Sequence, residues 1–124
     1  MNFLLALLTI AADQYAKHRA LKKHRAIFLN KGIAFAHYQG NNVAIVMYLF
    51  GLLVLGYLLN ASAPNDFIFA LFLGGLFSNA LDYVHRGGVV DWLPIRAKKS
   101  NLANIAILIS IVFWISTIFT KALF

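Results

Sequence analysis

Leu71-Phe72-Leu73-Gly74-Gly75-Leu76-Phe77-Ser78-Asn79-Ala80-Leu81-Asp82 reads as part of a membrane-crossing helix that carries a polar seam. Gly74 and Ser78 lie four residues apart, a small-xxx-small spacing that lets two helices approach closely in lipid. Asn79 and Asp82 lie three apart, on one face, where they can hydrogen-bond to neighbouring helices. On this evidence alone they act as glue in a helical bundle, and Arg86, four residues after Asp82, can pair with it.

The sequence on either side of this seam has the same character. The apolar stretch around it runs from Asp66 to Tyr83, and two more run from Asn42 to Asn60 and from Asn101 to Leu123. Each is close to the ~20 helical residues that cross a hydrocarbon core. A shorter one, Asn2 to Ala16, matches a signal-peptide core in length. It has no basic n-region, however, and Asp13-Gln14 stands where a small-residue cleavage site belongs, so it reads as a retained helix. Asn60 to Asn65, with Pro64, is a short polar turn that sets the second and third helices antiparallel.

Composition agrees. Of 124 residues 61% are hydrophobic and 12% charged, and mean hydropathy is +0.75. A soluble domain of this length needs far more charge. Cysteine is absent, which excludes disulfides, a thiolate nucleophile and a Cys metal site. His18, His24, His37 and His85 have no compact ligand spacing, so no metal and no cofactor is expected. The net charge of +7 falls in short clusters between apolar runs, which suits lipid headgroups and argues against nucleic acid. The segment from His18 to Asn42 is basic, then β-branched and aromatic around Gly32 and Gly40. It predicts a small β element near Ile27 to Tyr38, lying on the membrane surface with Phe35 turned to lipid or substrate. The expected fold is an all-α membrane protein of four transmembrane helices with this β element, residues 1–124 forming one domain.

That topology brings Asp13, Asn30, Asn79, Asp82, Asp91, Asn101 and Asn104 to one membrane face. Each alone could cap a helix end; together they suggest a site. The chain has four carboxylates, all Asp, and three belong to this set. Asp13 and Lys17, four apart, can neutralise each other. Asp91 sits between Val89-Val90 and Trp92. Such an apolar setting raises a carboxyl pKa, although on spacing alone an exposed loop Asp beside an aromatic anchor is the preferred reading.

Five motifs in order resemble the lipoprotein signal peptidase (signal peptidase II) family of membrane aspartic proteases. Asp13-Gln14-Tyr15-Ala16-Lys17 and Asn30-Lys31-Gly32-Ile33-Ala34-Phe35 match the family pattern fully. Ser78-Asn79-Ala80-Leu81-Asp82-Tyr83 matches except for Ser in place of Gly and Tyr in place of Arg. Val90-Asp91-Trp92 matches with Trp for Phe. Ser100-Asn101-Leu102-Ala103-Asn104 has Ser where the family has Phe, and Asn104 where it has its second catalytic Asp.

The resemblance implies a protease that cleaves signal peptides from lipid-modified pro-lipoproteins at a two-aspartate site. One carboxylate deprotonates water while the other, protonated, donates to the scissile carbonyl. It assigns catalysis to Asp91 and the position of Asn104, and substrate binding to Asn30, Gly32, Asn79 and Asn101. Asp13, Lys17, Asp82 and Arg86 become structural polar residues. Asp91 and Asn104 should approach within a few ångströms, with Asn30 and Asn101 in the same pocket.

An amide cannot exchange a proton in this pH range, so the dyad mechanism is unavailable as written. Three readings stay open: an introduced inactivating change, a non-catalytic relative that binds lipopeptides, or transfer of the second role to Asp82 or Asp13. Tyr83 and Ser100 favour real divergence. The resemblance also implies a bacterial inner-membrane protein, multi-pass and monomeric, with the site on the extracytoplasmic face among membrane lipids. The positive-inside rule points the other way, because ten of eleven basic residues lie on the site face. A small membrane scaffold is the competing class, and a cleft between helices beside Asp91 would separate the two.

Overall fold

The computed structural model describes residues 2–23, 27–31 and 42–124. It contains four helices: α1 (Phe3–Lys22), α2 (Asn42–Ser62), α3 (Asp66–Arg86) and α4 (Leu102–Leu123). Four short strands lie together at one end: β1 (Phe28–Asn30), β2 (Val89–Asp91), β3 (Leu93–Ile95) and β4 (Lys98–Ser100). Three helices, α2, α3 and α4, are long and apolar enough to cross a membrane. α1 matches them in length with 20 residues, but Asp13, Lys17, Arg19 and Lys22 lower its apolarity. It also runs six residues beyond the expected end at Ala16, because no glycine or proline interrupts it before Lys22.

α1 is built inside out. Asp13, Lys17 and Ala20 are its buried residues, while Phe3, Leu4, Leu7 and Leu8 point outward. A helix in lipid has no reason to hide its leucines, whereas a charge there must find a partner. α3 is the central helix, with α1 on one side and α4 on the other. Its glycine doublet makes this possible. A Cβ on Gly74 would lie 2.6 Å from Thr9 of α1, and one on Gly75 would lie 2.6 Å from the Ala103 carbonyl of α4.

Apolar packing fills the end away from the strands. Phe72 and Trp114 meet edge to face at 5.4 Å, with Ala63, Ile68, Leu73 and Leu76 around them. The α2–α3 turn is pinned where Asn65 donates its N–H to Asn60, and the Asn65 side chain caps α3 by accepting from Ile68. Gly87, left-handed at φ 71°, closes α3 and turns the chain into β2.

Of the β element expected near Ile27 to Tyr38, the described part is β1, and it takes its partner from beyond α3. β1 pairs antiparallel with β2, putting Phe28 opposite Asp91 and Asn30 opposite Val89. β3 and β4 form a second two-stranded sheet across Arg96-Ala97, with Arg96 left-handed at φ 55°. The expected run to Tyr38, with Gly32 and Phe35, lies outside the described residues beyond Lys31.

Candidate active site

The C-terminal ends of α1 and α3 and the N-terminal end of α4 converge on a buried polar network. Lys17 is its hub. Its ammonium lies 2.5 Å from Asp13 and 2.8 Å from Asp82, all three side chains fully buried. Asp82 also pairs with Arg86 at 2.6 Å and accepts the Val90 N–H at 3.0 Å. Two cations thus face two carboxylates, which keeps the buried cluster neutral. Gln14 donates to Ser78 and Asp82 and accepts from Arg86. The Ser78 hydroxyl donates to Asp13 at 2.7 Å.

This network fixes the start of α4. Asp13 accepts the Ala103 N–H at 3.0 Å, and the N-cap side chain of Asn101 accepts that of Asn104 at 2.8 Å. These bonds satisfy two donors that a helix start leaves open. Asp13, Lys17, Asp82 and Arg86 therefore sit together, joining three helices.

Asp91 lies at the end of β2 and is 2% exposed. Asn101 donates to one of its oxygens at 2.7 Å and Asn30 to the other at 3.4 Å. Burial raises its carboxyl from 3.8 to about 6, against the lowering effect of these two hydrogen bonds and of Lys17.

Asn104 occupies one turn of α4 beyond Asn101. Its Oδ1 accepts from Asn79 at 2.8 Å, and its Nδ2 donates to the Ser100 hydroxyl at 3.2 Å. Asn79 in turn accepts from Lys17 at 3.1 Å. An ammonium only donates, so the chain Lys17→Asn79→Asn104→Ser100 has one allowed sense. No direct hydrogen bond joins Asp91 to Asn104 among the described residues. Asn101 links them instead, donating to the first and capping the second. It is fully buried and absent from the cavity wall, so the expected pocket position for Asn101 is not what the structure has.

A cavity of about 360 Å³ opens between α2, α3, α4 and the strands. Asn30, Asn79, Ser100 and Asn104 give it a polar corner, and Leu49, Leu52, Leu76, Ile107, Leu108 and Ile111 form much of its apolar wall. Asp91 is not on this wall, but Asn30, which donates to it, is. Ser100, Ser78, Tyr48 and Tyr83 are contributors that sequence reading did not assign. Ser100 and Tyr83 were visible as departures from the family pattern, while Tyr48 carried no signal at all. Among the described residues no group of His and Asp could hold a metal ion.

Three helices long and apolar enough to cross a membrane thus surround a buried polar centre, and known proteins share this arrangement. The family model described as "Signal peptidase (SPase) II" matches residues 5–120. Lipoprotein signal peptidase of Francisella tularensis subsp. mediasiatica (strain FSC147) is 31% identical, the alignment covering 96% of this chain and 92% of that protein. The protein of the same name from F. tularensis subsp. novicida (strain U112) is 30% identical with the same coverage. A bacterial membrane enzyme solved in meso at 2.3 Å superposes with a TM-score of 0.76 and 17% identity, over 96% of this chain and 87% of that one. A second, solved at 1.9 Å, gives 0.68 and 17% over 92% and 89%. These two share the fold. The chain belongs to the signal peptidase II family.

Proposed function

We propose that this chain binds lipid-modified pro-lipoproteins or lipopeptides in the cleft between α2, α3 and α4 and does not cleave them. The observation that carries this reading is Asn104 at the position of the second family carboxylate, its amide engaged by Asn79 and Ser100. An amide can hydrogen-bond a peptide carbonyl but supplies no proton. It also removes the like charge that holds one proton on a carboxylate pair.

Transfer of the second role to Asp13 or Asp82 is disfavoured. Both are fully buried, both are bonded to Lys17, and neither lines the cavity. A purely structural scaffold is disfavoured by the cleft itself, whose volume falls within the ~300–1,000 Å³ of ligand pockets. In this reading Asn30, Asn79 and Asn104 contact substrate, with Gly32 assigned beside them by the family pattern. Asp91 and Asn101 hold the corner from behind. The protein is a monomer of the bacterial inner membrane with all four helices spanning it. Its site faces the extracytoplasmic side, where pro-lipoproteins are processed.

The test is a gel-shift cleavage assay with a diacylglyceryl-modified pro-lipoprotein, paired with co-purification of the uncleaved substrate. Retention without cleavage is expected. Robust cleavage by the unaltered chain overturns the reading.

A further inference from the structure

The sense of hydrogen bonding in the cleft's polar corner is set from behind. Lys17 can only donate, so the Asn79 oxygen is engaged by it, the Asn104 oxygen by Asn79 and the Ser100 hydroxyl oxygen by Asn104. What the three side chains have left over is hydrogen. Asn79 and Asn104 each keep a second amide N–H and Ser100 keeps its O–H, with no acceptor for them among the described residues. Asn79 and Ser100 are only 8% and 5% exposed, and all three residues line the cleft. The Tyr48 hydroxyl adds a further donor from α2 on the same wall. A buried donor without an acceptor carries a free-energy penalty that a ligand oxygen relieves. Among the described residues no carboxylate lines the cleft, since Asp91 lies behind it, bonded to Asn30 and Asn101.

From this cluster of unspent donors at the end of an aliphatic wall we infer that the cleft binds the carboxylate of an apolar chain. The head group lies against Asn79, Ser100 and Asn104, and the tail runs between α2 and α4. Such a group ends a long-chain fatty acid, and it ends the apolar segment released when a signal peptide is cut. The inference rests on the cleft being a ligand site, as proposed above, and names the chemistry that the site prefers. An uncut chain offers only a neutral carbonyl, whose hydrogen bonds are weaker than those of a charged acceptor. Asn104 is what permits the anion. An aspartate there would accept from Asn79 and Ser100 itself and would repel a second carboxylate. The amide instead passes the donor sense on to the cleft, where these N–H and O–H groups offset the desolvation of the bound charge.

Full-length protein in detergent is titrated with two pairs of probes that differ only at the head. One pair is hexadecanoate and hexadecanamide; the other is a leucine–alanine peptide ending in a carboxylate or a carboxamide. Bound probe is counted by native mass spectrometry, and the side-chain N–H signals of nitrogen-15 asparagine report on the corner. The acid of at least one pair is expected to be retained roughly tenfold more strongly than its amide, as charge-assisted hydrogen bonds replace neutral ones. The Asn79 and Asn104 signals should shift with it. Preference in the first pair alone names a fatty acid, and in the second alone a cut peptide. Asn104→Asp should turn the preference toward the amide, and Ser100→Ala should weaken the acid several-fold while leaving the amide unchanged. Equal retention of acid and amide in both pairs overturns the inference. So does an acid preference that survives Asn104→Asp, which would put the anion elsewhere on this cationic protein. A diacylglyceryl-modified pro-lipoprotein is run in parallel. Its retention without any acid preference refutes the carboxylate site and leaves the proposed function standing, whereas retention of neither refutes both.

Discussion

Ser100 accepts a hydrogen bond from the side-chain amide of Asn104, Nδ2 to Oγ at 3.2 Å. Both residues depart from the family pattern, and they touch. An amide at 104 brings N–H groups that need an acceptor, and the hydroxyl supplies one. A hydroxyl can also turn and donate. A carboxylate at 104 would therefore find two donors in place, the Asn79 amide and the Ser100 hydroxyl. Asn104→Asp is expected to raise pro-lipoprotein cleavage at least a hundredfold over the unaltered chain, roughly the contribution of one acid–base group. Adding Asp91→Asn should abolish the gain. Absence of cleavage in Asn104→Asp with lipopeptide binding retained would place a second defect elsewhere in the site, with Tyr83 the first candidate.

The Asp91 carboxyl, raised to about 6, makes stability depend on pH in a stated direction. Between about pH 4 and 6 the folded chain binds more protons at this residue than the unfolded chain does. The stability it contributes is present at low pH and lost as pH rises through about 6. A shift of this size is worth on the order of 2–3 kcal/mol. Carbon-13 NMR of aspartate-labelled protein should find one carboxyl titrating near 6 that disappears in Asp91→Asn. Asn101→Leu, which deletes the stronger of its two donors, should move the midpoint higher; an unchanged midpoint would contradict the assigned bond.

Lys17→Met should be the most damaging single change in the polar network. It leaves Asp13 and Asp82 buried beside each other with only Arg86 to offset them, at a cost of about 3–5 kcal/mol. Reversible unfolding in mixed micelles with increasing sodium dodecyl sulfate would measure it. A loss under about 1 kcal/mol would mean that water or rearrangement compensates the pair.

Two glycines should respond oppositely to the same methyl group. Gly75→Ala drives a Cβ to within 2.6 Å of the Ala103 carbonyl, forcing α3 and α4 apart at a cost of about 1–3 kcal/mol. At Gly51 in α2 a Cβ meets nothing within 4 Å, so Gly51→Ala should stabilise by up to about 1 kcal/mol through helix propensity. The same unfolding titration compares the two.

Arg96 holds a left-handed backbone at φ 55° that favours glycine. Arg96→Gly should therefore be neutral or stabilising by up to about 1 kcal/mol, leaving the register of Leu93 with Ser100 intact by amide-proton NMR. A substantial loss of stability would show that the guanidinium makes contacts worth more than the strain.

α2, α3 and α4 were legible because each opens on an Asn and leaves a long apolar record, whereas α1 continues past its short apolar run. The strands were not, because each is three residues long and draws its stability from a partner remote in sequence. Nothing near Phe28 announces that it will face Asp91, and Pro94 and Lys98-Lys99 read as loop. Asp13, Lys17 and Asp82 could be placed together by helical spacing and topology. That Asn101 would lie behind the wall, linking Asp91 to the α4 cap, could not, since both roles use the same amide. Gln14 and Ser78 stood inside the quoted motifs, yet only tertiary contact shows them bridging α1 to α3.

The pairing of Asn30 with Asp91 spans 61 residues, and that of Asp13 with Ala103 spans 90. During synthesis, therefore, the first half of the site leaves the ribosome long before the second. Lys17 and Asp13 enter the bilayer with only each other for company, and β1 waits as an unpaired edge until α3 has been threaded and β2 emerges. The last piece to arrive is the start of α4, and with it the N–H that Asp13 accepts. Ribosome-stalled chains cut short before residue 103 should consequently insert α2 and α3 and pair Lys17 with Asp82, but leave one oxygen of Asp13 without the Ala103 N–H that it accepts in the finished fold.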